Sequence, residues 1–224
     1  MRLRLFLMIF ALASTTLACQ TVNSIVGESQ AESQVASKDK PERLLFQDDF
    51  SDPGSGWESL HNEDGVTDYQ NGQYRILANT TNTDVWANPG LRFTNTIIEV
   101  DATKVGGDDN NDFGLICRYK DDKNFYFFVI SSDGYYGIGK IKGGKQVLVG
   151  MESMPPTDAV KQGDATNHLQ AVCDGSTLRL VVNGQLLAET TDPDLTSGDA
   201  GLLAGSFENP GTDILFDNFV VREP

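Results

Sequence analysis

Short runs of alternating or continuously apolar residues recur from Arg43 to the end of the chain. Alternation with a period of two is typical of half-buried β-strands, and nothing between the runs has a sustained helical period. The pattern therefore predicts an all-β domain. The predicted strands are 44–50, 73–77, 96–103, 113–119, 125–131, 135–141, 146–150, 168–173, 177–182, 185–190, 200–207 and 214–222.

Five dipeptides between these runs contain residues that accept positive φ angles in tight hairpins. They are Asn71-Gly72, Asp133-Gly134, Gly143-Gly144, Asp174-Gly175 and Asn183-Gly184. Turns at this density connect antiparallel neighbours, and about twelve strands in roughly 180 residues favour one sandwich over two domains. The prediction is thus a single antiparallel β-sandwich, or jelly roll, over residues 43–224.

The N-terminus has the pattern of an export signal. Met1-Arg2-Leu3-Arg4 is a short positive region, an apolar run follows, and small residues lead to Cys19. Since that run is too short to cross a bilayer of about 30 Å, residues 1–18 are predicted to be a signal peptide. Thr16-Leu17-Ala18-Cys19 resembles the bacterial lipobox, whose cysteine is lipidated, although Thr16 stands where leucine is usual. Ordinary signal cleavage and secretion is the alternative.

Residues 19–42 are rich in Gln, Ser, Glu and Lys and contain no aromatic residue. Such a segment buries too little apolar surface to fold by itself. We expect a flexible tether between a lipidated Cys19 and the domain. The protein would then lie in the bacterial cell envelope, with the lipid as its contact with the membrane.

Charge excludes one class of partner. The 224 residues include 32 acidic and 17 basic ones, a formal charge of −15 at pH 7. An acidic chain without a basic stripe repels phosphate backbones, so nucleic-acid binding is excluded. The two histidines, His61 and His168, offer little to a multi-histidine metal site.

Several strings carry a family resemblance through their order along the chain. They are Phe46-Gln47-Asp48-Asp49-Phe50 with Gly56-Trp57, then 71–76, 112–119, 124–128, 180–184 and 216–221. In this order they resemble the concanavalin A-like lectin/glucanase superfamily, closest to bacterial lipoprotein modules related to the 3-keto-disaccharide hydrolase-like domain. The resemblance covers roughly 44–223 and implies a concanavalin A-like jelly roll. Because the superfamily includes lectins, hydrolases and adhesion modules, function stays open.

Cys117 and Cys173 are the two cysteines of the predicted domain, each on a predicted strand. Export favours disulfides, and residues directly opposed on neighbouring strands are close enough to form one. We predict a Cys117–Cys173 disulfide, with two buried free thiols as the alternative.

Two parts of the sequence contain possible metal ligands. The run 108–112 is rich in Asp and Asn, but counted from Asp108 an EF-hand needs Gly where Phe113 stands and Glu where Tyr119 stands. A solvated acidic loop is the prediction there. The family resemblance implies a different site, one structural Ca²⁺ held by Asp49, the Gly72 carbonyl and Asp217. Local capping of strand ends by the two aspartates is the alternative.

Catalytic motifs are weak. The sequence has no nucleophile elbow, zinc-protease motif or phosphate-binding loop. Family 16 glucanases, which share the implied fold, carry Glu-x-Asp-x-Glu on one strand, and the nearest string here is Glu99-Val100-Asp101-Ala102-Thr103. Thr103 cannot replace the second glutamate as acid and base. We expect this strand to turn its polar face to water.

Glycan binding is the predicted function, without cleavage. Sugar sites combine an aromatic platform with a few polar side chains. The candidate ligand contacts are Trp86, Arg118, Tyr126 and Tyr135, and Trp86 is placed in a polar loop over 83–88. The expected partner is a glycan or cell-surface polysaccharide. Two alternatives stay open: an atypical glycan-active hydrolase or lyase, and a structural or adhesive surface domain.

Overall fold

The computed structural model describes residues 42–224, and the predicted signal peptide, Cys19 and nearly all of the tether lie outside this range. Within it the chain forms fifteen strands and no helix, so no described helix could span a membrane. The strands are β1 (Arg43–Asp48), β2 (Leu60–His61), β3 (Gly65–Gln70), β4 (Gln73–Ala78), β5 (Thr83–Ala87), β6 (Thr96–Gly106), β7 (Asn111–Asp121), β8 (Asn124–Ile130), β9 (Tyr136–Lys142), β10 (Lys145–Leu148), β11 (Thr166–Asp174), β12 (Thr177–Val182), β13 (Gln185–Thr191), β14 (Asp199–Ser206) and β15 (Thr212–Glu223).

Two antiparallel sheets form a sandwich, as predicted. The nine-stranded sheet has the order β13-β12-β11-β6-β15-β4-β3-β2, and β1 also pairs with β15. The six-stranded sheet has the order β10-β9-β8-β7-β14-β5. Each of the predicted runs overlaps an observed strand. The predicted turns Asn71-Gly72 and Asn183-Gly184 join hairpin strands with positive φ at both residues.

The core lies between the sheets and follows from the alternation. On β6, Ile98, Val100 and Ala102 are fully buried, while Glu99 and Asp101 point outward. On β7 and β8, Leu115 and Phe128 fill the same interior from the other sheet. The expectation that the Glu99–Thr103 strand turns its polar face to water is confirmed.

The disulfide is confirmed, but it does not join neighbouring strands. Cys117 lies on β7 of the six-stranded sheet and Cys173 on β11 of the nine-stranded sheet, with Cα atoms 6.9 Å apart. Both side chains point into the core from opposite sheets. The bond therefore crosses the sandwich, which strand patterns alone did not indicate.

The turn after β1 is held by Asp48. Its carboxylate accepts hydrogen bonds from the Phe50 amide (2.8 Å), the Ser55 hydroxyl (2.5 Å) and the Trp57 indole (3.0 Å). Trp57 packs edge-on against Phe219 on β15, with ring centroids 4.9 Å apart. One buried carboxylate thus attaches the loop to the aromatic end of the core.

Candidate functional site

Every second residue of the six-stranded sheet points away from the nine-stranded sheet, and we call this side the outer face. It carries a second apolar cluster, separate from the main core: Ile116, Phe125, Phe127, Val129 and Leu203. Four half-buried side chains pack against that cluster: Trp86, Tyr119, Ile141 and Met154. The five cluster residues are at most 4% exposed, so the accessible apolar surface of the outer face is that of the four half-buried side chains.

Trp86 lies on a strand and not in the predicted polar loop. In β5, Val85 and Ala87 enter the main core, so Asp84 and Trp86 both point to the outer face. The Trp86 ring lies 5.4 Å from the ring of Phe125, and Phe125 lies 5.6 Å from Tyr119. These three rings form a continuous aromatic strip across the sheet.

A cavity of about 340 Å³ lies beside Trp86 along the β5 edge. We call it the Trp86 cavity, and its lining is Glu58, Leu60, Asn62, Asp64, Thr83, Asp84, Val85, Trp86 and Asp122. The Asp122 carboxylate accepts a hydrogen bond of 2.5 Å from Tyr119, whose pKa is raised to about 12, chiefly by burial. The cavity thus combines an indole with four carboxylic acids.

Two of the outer-face carboxyl groups meet. Gly205 on β14 pairs with Asp84 on one side and with Asp112 on the other. A methyl group built on Gly205 would lie 2.2 Å from Asp84 Oδ1 and 2.3 Å from Asp112 Oδ1. Because only glycine leaves this space, the two carboxyl groups approach each other directly above its backbone. The prediction of a solvated loop over 108–112 is therefore wrong for Asp112, which is 4% exposed on β7.

The Asp84–Asp112 pair has no neutralising partner among residues 42–224. Neither carboxyl group forms an ion pair there, and Asp112 Oδ1 is buried without a hydrogen-bond donor. Burial raises the pKa of Asp84; burial and the adjacent charge of Asp84 raise the pKa of Asp112 well above its usual range. Two such groups hold a shared proton readily, since both cannot ionise cheaply at this separation.

Arg118 and Tyr126 lie in the interior. Arg118, with φ of 54°, donates to the carbonyls of Thr94 (3.2 Å) and Leu195 (2.7 Å) and is 3% exposed. The Tyr126 hydroxyl donates to Asp192 Oδ1 (2.6 Å) and accepts from the Leu195 amide (3.1 Å). Protein partners occupy both side chains, so we assign them structural roles.

Tyr135 lies apart from the Trp86 cavity. Its side chain is 40% exposed and lines a separate cavity of about 420 Å³ at the end of the six-stranded sheet. Asn110, Ser131, Asp133, Met154 and Phe207 line the same cavity. Of the four predicted ligand contacts, Trp86 and Tyr135 are thus accessible, at two different places.

The residues of the predicted calcium site make local contacts. Asp49 Oδ1 accepts from the Ser51 amide (3.0 Å) and hydroxyl (2.6 Å), which lower the pKa of Asp49. Asp217 Oδ1 accepts from the Asn218 amide (2.7 Å), and Gly72 lies in the β3–β4 turn. A cavity of about 310 Å³ next to Asp49 is also lined by Asn218. Residues 42–224 contain no group of three or more His, Cys, Asp or Glu side chains close enough together to hold a metal ion.

The polar face of β6 is occupied by pairs within its own sheet. Asp101 pairs with His168 at 2.8 Å and accepts from Asn218 at 3.0 Å. Glu99 accepts from Gln170 at 2.8 Å and pairs with Arg222. Each carboxylate of this strand therefore has its own partners in the described sheet, so Glu99 and Asp101 do not form a pair of unpartnered acids.

Asp84 and Asp112 were missed by sequence reasoning, although a signal existed. Each is an acid at the outward position of a strand whose next residue enters the core, Val85 in one case and Phe113 in the other. What the sequence did not contain was the pairing of both strands with Gly205. That pairing is a property of the sheet order alone.

No protein-family model matches the sequence, and no protein with a curated description is similar to it in sequence. Solved structures match its fold. The carbohydrate-binding module CBM66 from Bacillus subtilis has a TM-score of 0.61 at 17% identity, covering 75% of this chain and 96% of the module. A protein of unknown function with a galectin-like fold, also from Bacillus subtilis, has a TM-score of 0.60 at 12% identity, covering 81% and 96%.

Part of a larger enzyme is also similar. A xylan β-1,4-xylosidase from Bacillus halodurans C-125 has a TM-score of 0.58 at 16% identity, covering 81% of this chain but only 40% of the xylosidase. Identities this low show the fold and nothing more. The predicted link to 3-keto-disaccharide hydrolase-like modules stays a prediction. The described domain is a jelly-roll β-sandwich of the kind found in carbohydrate-binding modules and galectin-like proteins.

Proposed function

We propose that the domain binds glycans in the Trp86 cavity without cleaving them. The observation that carries the proposal is the half-buried Trp86 indole beside an open cavity lined by carboxylic acids. Sugars present an apolar ring face that packs on an indole and hydroxyl groups that donate to carboxylates. The CBM66 module, a carbohydrate-binding protein by name, supports the proposal through its fold.

The test is binding of soluble polysaccharides, screened on a glycan array and measured by calorimetry. Trp86→Ala should weaken binding of any array hit at least tenfold, since one stacking aromatic carries a large share of such affinity. Leu186→Ala, an exposed apolar residue on β13 of the other sheet, is the matched control. An equal loss of affinity in both variants, or no glycan bound on the array, would contradict the proposal.

Glycan cleavage is the second candidate, favoured by the two paired carboxyl groups, which are the residue type for general acid–base work. Reducing-sugar release from each bound glycan separates the two functions. Binding without release supports the proposal, and release that is lost in Asp84→Asn would replace it with a hydrolase. Silence in both assays would leave the adhesive surface domain.

For location, we propose export and lipidation at Cys19, which follows from the sequence pattern alone. Fatty-acid labelling tests it directly. The wild-type protein should take up label and stay with membranes, whereas Cys19→Ala should lose the label. An unlabelled wild-type protein in the medium would instead indicate plain secretion.

Calcium binding by Asp49, the Gly72 carbonyl and Asp217 remains a separate proposal from the family resemblance. Carboxylates and carbonyls are suitable Ca²⁺ ligands, and each aspartate keeps one oxygen free of its local hydrogen bond. Added Ca²⁺ should raise the melting temperature of the wild type but not of Asp217→Asn. A melting temperature indifferent to chelator, with no calcium by elemental analysis, rejects the site.

A further inference from the structure

The Asp84–Asp112 pair differs from the other buried carboxylates of the described domain. Asp192 accepts from the Tyr126 hydroxyl at 2.6 Å and pairs with Lys140, and Asp199 accepts from the backbone amides of Gly90 and Leu91 at 2.8 and 2.9 Å. Asp48 accepts three donors, including the Trp57 indole. Buried carboxylates are normally satisfied in this way, whereas the Asp84–Asp112 pair has only the proton that its two groups can share.

A cationic donor fits this pair best, because it supplies both a hydrogen bond and a positive charge. Asp112 Oδ1 is buried and receives no hydrogen bond from the described part of the chain, and it lies in the same space above Gly205 as Asp84 Oδ1. Asp84 in turn lines the Trp86 cavity, which opens a route from solvent. Among residues 42–224, no Lys or Arg lines this cavity, and its other acids are Glu58, Asp64 and Asp122. A neutral hydroxyl would supply a hydrogen bond but not the charge.

Asp84 lies close enough to the Trp86 indole for one ligand to contact both. Asp84 and Trp86 are two residues apart on one face of β5, a spacing of about 7 Å. That distance is comparable to one sugar ring and its substituent. An ammonium group on a ring stacked over Trp86 would offer three N–H donors to the acids and would gain cation–π attraction from the indole.

We propose that the Trp86 cavity selects glycans that carry a free amine, whose ammonium group is held by Asp84, with the buried carboxyl group of Asp112 directly behind it. The inference rests on the proposed glycan-binding function and names its ligand class. Acidic glycans are disfavoured by the same four carboxyl groups. When the ammonium group binds, the proton that the two carboxyl groups share in the free protein is released to solvent. The net charge of the site therefore stays the same.

The experiment compares two oligosaccharides that differ only at nitrogen. A β-1,4-glucosamine tetramer and its fully N-acetylated counterpart are titrated by calorimetry in mildly acidic, low-salt buffer, where the amine is protonated. We expect the free amine to bind at least tenfold more tightly. Asp84→Asn and Asp112→Asn should each reduce that preference to under threefold, while Glu189→Gln, which removes an exposed acid on β13, should keep it.

The outcomes separate the two claims. Equal affinity for both tetramers, or a preference unchanged in both Asn variants, overturns the amine inference while glycan binding stands. No binding of either tetramer or of any array glycan overturns the proposed function as well. Ca²⁺ that binds at the pair and is lost in Asp84→Asn, together with no amine preference, would make the pair a metal site and also overturn the inference.

Discussion

Cys117 and Cys173 are joined across the interior of the sandwich, so one covalent bond connects the middle of β7 in one sheet to the end of β11 in the other. The two residues are 56 positions apart in sequence. Their strands share no hydrogen bonds, and the bond therefore fixes the contact between sheets where backbone pairing does not.

Removing this bond should lower stability substantially. For a loop of 56 residues, chain entropy gives a loss of about 4 kcal/mol in the free energy of unfolding. Urea denaturation of Cys117→Ala/Cys173→Ala against wild type measures it. Two thiols that alkylate in the unfolded, unreduced wild-type protein would contradict the disulfide.

Asp48 and Asp49 provide a matched pair of neighbours. Asp48 accepts three hydrogen bonds in a buried site, whereas the exposed Asp49 accepts two from Ser51 alone. Asp48→Ala should cost about 2–3 kcal/mol because it leaves the Trp57 indole without an acceptor. In calcium-free buffer Asp49→Ala should leave stability nearly unchanged, because Asp49 is exposed. Similar losses in both variants would refute the role given to Asp48.

The acid pair predicts a pH dependence of stability. The pKa values of Asp84 and Asp112 are raised in the folded protein, so the folded state binds more protons than the unfolded state above the ordinary carboxyl pKa. The pair therefore does not lower stability below the ordinary carboxyl pKa. As pH rises from there through the raised pKa values, the free energy of unfolding falls. Asp112→Asn should be more stable than wild type at neutral pH, because an amide carries no charge into the buried site.

That difference should shrink as pH approaches about 4, where the unfolded chain also begins to hold its protons. Melting curves across this range, with Glu189→Gln as the control, measure it. An Asp112→Asn variant that is destabilised at neutral pH, or a difference independent of pH, would contradict the shared proton.

A substitution at Arg118 tests whether this side chain stabilises the fold or binds the glycan. Arg118→Met removes the donors to the Thr94 and Leu195 carbonyls and should cost roughly 2–3 kcal/mol of stability. Its affinity for any glycan bound by the wild type should be unchanged where the variant is folded. A stable Arg118→Met protein that no longer binds glycan would restore the ligand role predicted from sequence.

The strands were largely predictable because alternation is local. Three strands were not predicted: β2, which has two residues, β3 and β5. In β5, Val85 and Ala87 alternate correctly, but Thr83, Asp84 and the following Asn88 make the segment resemble a loop. The candidate site was predictable only at Trp86. Its acid pair depends on β14 lying between β5 and β7, a non-local arrangement that no spacing along the chain encodes.

The twelve-residue strand β15 has consequences for attaching this protein to a support. Arg43 pairs with Glu223 at one end of β15, and at the other end Thr212 contacts Ser206, the neighbour of Gly205. The strand is roughly 35 Å long by the usual rise per residue. A linker, reporter or solid surface joined at either end of the described domain would therefore lie far from Asp84 and Asp112, and would leave the acid pair open to large polymers.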